Sequence, residues 1–155
     1  LIIVVSFLFI HYLYMWFDSY NEAKLNIPIL NKYLEVINYN ELTDYLVENP
    51  DAIIYVSVLE NSEIRNFEKK IKTAIRKKEI IKDMLYMDIT NVSPGIDDNK
   101  YVINGKTILD VPLVMVFDNG VLKNIYSVSE NGYDIDSFKF FVNNIKFSSE
   151  VVLNG

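Results

Sequence analysis

Hydrophobic positions change their spacing several times along this chain, and each change marks an element. Leu1 to Phe17 carries no charge, and only Ser6 and His11 interrupt an otherwise apolar or aromatic run. A run apolar on every side is the pattern of a membrane span, and 17 residues is its short limit. Tyr12, Tyr14, Trp16 and Phe17 crowd the end of the run, where amphipathic rings favour the bilayer interface. The pattern predicts a transmembrane signal-anchor helix over residues 1–17. The chain opens on Leu rather than Met, so further residues are expected before it. A cleaved signal peptide fits less well, because no small-x-small site precedes Asp18. A core helix fits less well too, since a helix apolar all round needs protein on every side.

Residues 18–32 are polar, carry Pro28 and read as a tether. Leu34 to Ile37 predicts a short strand. Asn40 opens a short helix through Leu42, Tyr45 and Leu46, closed by Asn49-Pro50. Ala52 to Leu59 is nearly all apolar, the pattern of a strand covered on both faces. From an N-cap at Asn61 or Ser62 runs a long amphipathic helix, its apolar residues Ile64, Phe67, Ile71, Ala74 and Ile75 at helical spacing. Met84 to Ile89 is the next strand. Residues 90–109 give no clear period. Pro112 leads into the strand Leu113 to Phe117, Asp118-Asn119-Gly120 predicts a tight hairpin turn, and Val121 to Val128 returns. Asp134 or Asp136 caps a last helix packed through Ile135, Phe138, Phe141, Val142 and Ile145, and residues 148–155 form a tail. Parallel βαβ units followed by an antiparallel hairpin predict an α/β domain over 33–147: a central mixed sheet with helices on both faces.

Composition narrows the chemistry. The 155 residues are 50% hydrophobic, but beyond the apolar head the share falls to roughly 46%, ordinary for a soluble domain. There is no cysteine, which removes disulfides, thiolate metal sites and thiol nucleophiles. His11 is the only histidine, which rules out histidine-rich metal sites and argues against Ser-His-Asp catalysis. A net charge of −6 argues against nucleic acid as a partner. Asn, Lys, Ile and Tyr are plentiful while Ala and Arg are scarce, the bias of an AT-rich bacterial genome. The flank Asp18, Glu22, Lys24 has no basic cluster, so the domain is expected outside the cytoplasm, on a single-pass anchor in the cell membrane.

The block Asp110-Val111-Pro112-Leu113-Val114-Met115-Val116-Phe117-Asp118-Asn119-Gly120-Val121, set in this order of elements, resembles the thioredoxin-like family. The resemblance covers about residues 33–147. It implies a cis Val111–Pro112 bond and a Cys-x-x-Cys opening the long helix. The matching stretch here is Asn61-Ser62-Glu63-Ile64, with both sulfur positions lost, and the family's buried acid falls at about Tyr55. Dithiol exchange needs a thiolate, so this would be a redox-inactive member without cofactor. In active relatives the residue before the cis-proline offers its backbone to an extended peptide, a role that Val111 could keep.

These observations make a peptide-binding or accessory module at the bacterial envelope the leading expectation, with Asn61 to Ile64, Val111 and Pro112 as its surface. A structural subunit of an envelope complex, or an accessory of bacteriocin export, is the alternative; a hydrolase comes last. Ordinary capping alone explains the residue types at Asn61, Ser62 and Glu63 and is the favoured account of them. The basic residues Arg65, Lys69, Lys70, Lys72, Arg76, Lys77, Lys78 and Lys82 fit a solvated helix face. Asp97-Asp98 and Asp134-x-Asp136 lack the spacing of a calcium loop and suit turns and caps, so no metal is expected.

Overall fold

Period-two alternation along the central strands separates two cores, one on each face of the sheet. The computed structural model describes residues 2–92, 101–103, 105–108 and 110–149. In β2 (Ala52–Ser57), Ala52, Ile54 and Val56 enter one core while Ile53 and Tyr55 enter the other. In β6 (Leu113–Asp118), Leu113, Met115 and Phe117 alternate with Val114 and Val116 in the same way. Both strands are therefore apolar on both sides, as strands covered on both faces must be.

Five strands form one mixed sheet. β1 (Glu35–Val36) and β2 both run parallel to β3 (Leu85–Asp88), β2 pairs antiparallel with β6, and β6 with β7 (Val121–Ser127), giving the order β1-β3-β2-β6-β7. A parallel pair needs a long crossover, and α3 (Ser62–Arg76) supplies it between β2 and β3. The β6–β7 hairpin needs only a tight turn, in which Asn119 (φ 54°) and Gly120 (φ 72°) both take the left-handed conformation of a type I′ turn.

One face carries α3, α4 (Ile135–Asn143) and a 3-10 turn at Leu30–Lys32, packed over Tyr55, Tyr86, Val114 and Val116. The other carries α2 (Leu42–Glu48) and a separate hairpin, β4 (Tyr101–Ile103) with β5 (Lys106–Ile108). That hairpin occupies part of the stretch whose period was unreadable. Its strands are three residues each, too short for a pattern to declare itself, and Ile103 and Ile108 are buried against the core.

The N-terminal helix α1 (Ile2–Leu25) is longer than the apolar run. No proline or glycine interrupts Asp18 to Leu25, and Trp16, Tyr20 and Lys24 stack along one side, rings 5.6 Å apart and the ammonium 4.1 Å from the Tyr20 ring. Ile3 to Leu25 is long and apolar enough to cross a membrane, and its most apolar window buries nothing against the rest of the protein. The segment beyond is not a free tether: Leu30 is fully buried among Tyr55, Phe67 and Phe138.

Candidate functional site

The C-terminal ends of β2 and β3 and the start of β6 meet at one end of the sheet. Val56 pairs with Leu113, so one residue further out Ser57 and Pro112 flank the same end, and the chain from β2 turns there into α3. The Val111–Pro112 peptide bond is cis. The turn is held by β3's continuation: Ile89 N–H donates to the Ser57 carbonyl at 3.0 Å, and Leu59 N–H donates to the Thr90 hydroxyl at 2.7 Å. Glu60 takes a positive φ of 64°, which aims the chain into the helix. Across the site, Val128 N–H donates to the Pro112 carbonyl at 3.0 Å, and the Ser129 hydroxyl donates to Asp110. Tyr133 sits between the two sides: its ring meets Phe67 edge-on at 5.9 Å, and burial, then the Glu63 and Asp110 carboxylates, raise its pKa.

The structure thus brings the six sequence candidates to one end of the sheet, with different surroundings. Asn61 is the N-cap of α3, its side-chain oxygen accepting from Glu63 N–H at 2.9 Å and Ile64 N–H at 3.1 Å. Ser62 and Glu63 are exposed. Ile64 faces the core, 1% exposed, and Pro112 is buried. Val111 is half-buried, and among the described residues no backbone hydrogen bond engages it. A partner would meet Asn61, Ser62, Glu63 and the Val111 backbone. The cap itself is ordinary: Asn61→Ala is expected to cost about 1 kcal/mol of stability in denaturant unfolding, because two helix N–H groups lose their acceptor.

Behind this surface lies a cluster that the helical spacing concealed. Arg65 was expected on the solvated basic face; it is 2% exposed, and Glu68 is fully buried. Arg65 Nη2 donates to Glu68 Oε1 at 2.7 Å, to the Val58 carbonyl at 2.8 Å and to the Ser57 hydroxyl at 3.1 Å, while Arg65 Nη1 lies 2.7 Å from Glu68 Oε2. Ser57 Oγ in turn donates to Glu68 Oε1 at 2.7 Å. The hydroxyls of Tyr55 and Tyr86 end in the same interior, near Ser57 and Arg65 but without hydrogen-bond geometry. One signal was available in the sequence: Glu68 falls four residues after Ile64 and three before Ile71, inside the apolar stripe.

Burial pushes the Glu68 carboxyl up to about 7, against the opposing pull of the Ser57 hydroxyl and the Arg65 guanidinium. A carboxyl whose pKa is raised by folding stabilises the native state below its unfolded value of 4.5, and that contribution is lost as the pH rises through about 7. Stability is expected to fall between pH 5 and pH 7.5 by up to about 3 kcal/mol, read from denaturant midpoints across the range. Asp51 and Asp134 work the other way. Hydrogen bonds from Ser149 and from Ser137 hold their carboxyls low, so their contribution is present at neutral pH and disappears in acid. A stability curve rising steadily from pH 5 to pH 7.5 would contradict the Glu68 assignment.

The other sequence candidates have structural roles. Asp134 caps α4, accepting from Ser137 N–H at 2.8 Å, and Asp136 pairs with Lys139 at 2.8 Å. Asp97 and Asp98 lie outside the described residues. Among the described residues no group of His, Asp and Glu is arranged to hold a metal ion. No family model matches the chain, and no curated protein or solved structure matches it either.

Proposed function

We propose that this chain is a membrane-anchored, thioredoxin-like domain without redox chemistry, which binds an extended polypeptide as an accessory module at the bacterial envelope. The observation that carries the reading is the end of the sheet where cis-Pro112 stands beside the start of α3, with Asn61 and Ile64 at the two positions where the family keeps sulfur. The strand order and the hairpin after Pro112 support the family resemblance. Among the described residues no backbone hydrogen bond engages Val111, which supports the peptide role, since an extended segment binds by just such main-chain groups. The apolar helix α1, exposed on all sides, supports the anchor. The acidic flank after it supports a domain outside the cytoplasm.

Three measurements test the reading. The full chain should stay in the membrane pellet through alkaline carbonate extraction, and protease added to intact cells should digest the domain; release at alkaline pH would refute the anchor. A photo-reactive residue at Ser62 should cross-link an extended peptide, whereas the same residue at Glu48, beyond the opposite end of β2, should not. Equal yields at the two positions would refute the site.

A further inference from the structure

We infer that the Asn61–Pro112 end of the sheet faces the bilayer, so that its partner is a basic, extended stretch of polypeptide lying at the membrane surface. The inference rests on the anchored, peptide-binding reading above and adds to it where the site points and what can reach it.

The attachment of α1 carries the argument. Glu60 N–H donates to the Leu25 carbonyl at 3.3 Å, so the last residue of α1 is joined to the residue before the α3 cap. Leu30 then enters the core. From Asp18 to Leu25 the helix rises about 12 Å beyond the last apolar residue, roughly the depth of a headgroup layer. The candidate surface therefore stands just above the lipid. The other end of β2 lies about 17 Å further from this junction along the strand, where Asn49-Pro50 and the Asn119-Gly120 turn sit.

A surface at that height is reached first by chains that emerge from, or lie along, the membrane. Its exposed charge decides which of them. Glu60, Glu63 and Asp110 border it, all exposed, and Glu63 and Asp110 both act on the Tyr133 hydroxyl between them. Carboxylates in this position repel anionic headgroups and attract Lys and Arg, so a basic polypeptide segment is complementary where a lipid is not. The segment would run beside the Val111 backbone and past the exposed first turn of α3.

The chain has no cysteine, so single cysteines can be placed and labelled without background. Full-length Ser62→Cys and Glu48→Cys, each carrying an environment-sensitive fluorophore, are reconstituted in phosphatidylcholine vesicles containing a lipid with a nitroxide on its headgroup. Quenching several-fold stronger at position 62 than at 48 is expected; equal or reversed quenching overturns the orientation. In parallel vesicles, Ser62→Cys carrying a photo-reactive label in place of the fluorophore should cross-link a lipid-tethered Lys-rich peptide several-fold more than a Glu-rich peptide of the same length. Equal cross-linking of the two peptides overturns the basic partner, and quenching at 62 with no cross-linking of either overturns the peptide-binding reading while leaving the orientation. Failure of the chain to float with vesicles removes the anchor itself, so each failure is distinguishable.

Discussion

Glu68→Leu is expected to destabilise the domain by about 3–5 kcal/mol, because it leaves the buried Arg65 guanidinium without the carboxyl oxygens that accept its hydrogen bonds. Arg65→Met should cost less. A carboxyl can take up a proton when its partner is removed, and burial already holds Glu68 near 7, whereas a guanidinium stays charged at any accessible pH. The double variant should recover to within about 1–2 kcal/mol of the parent, since two apolar side chains fill the site and Ser57 Oγ, 3.5 Å from the Val58 carbonyl, can turn toward it. It should also lose the fall in stability between pH 5 and pH 7.5. Denaturant unfolding of the four proteins in the same detergent gives the full cycle. A Glu68→Leu variant no less stable than Arg65→Met would sink the account of a permanently charged Arg65.

Phe138→Ala should be nearly as damaging, at about 3–5 kcal/mol. Its ring is fully buried and meets Phe67 at 5.4 Å, Tyr55 at 6.1 Å and Tyr126 at 6.2 Å, each nearly edge-on. Removing it opens a cavity between α4, α3 and the sheet that rigid rings cannot close. Phe140, two residues on and 72% exposed, is the internal control, and Phe140→Ala should change stability by no more than about 0.5 kcal/mol. Similar losses in both variants would mean that α4 packs by another face.

How much of this was legible in the sequence depended on whether one pattern dominated each stretch. β2 and β6 carry two-sided apolar runs bounded by turn residues, and both appear within a residue or two of their expected limits. α3 was legible for the same reason, through its apolar stripe. The Asn-Gly turn follows from the cost of positive φ to other residues. The 18–32 stretch misled because polarity says nothing about whether a helix continues, and one leucine, Leu30, decides that the segment docks. The Arg65–Glu68 pair was hidden among four other basic residues on the same helix, where only geometry separates a charge facing inward from one facing water. The candidate site was legible as a location, through Pro112 and the helix start, and the burial of Ile64 followed from its place in the apolar stripe, whereas the exposure of Ser62 and Glu63 beside it depended on the turn of the helix.

Leu30 has one more consequence. A side chain seated among Tyr55, Phe67 and Phe138, five residues after α1 ends, leaves almost no slack between the helix and the sheet. A flexible linker would let a domain drift and would dissipate any pull as entropy. Here a lateral or vertical load on α1 passes directly into the aromatic core and the first turns of α3. The domain is mechanically in series with its helix, and tension on one is felt at the surface that the other presents.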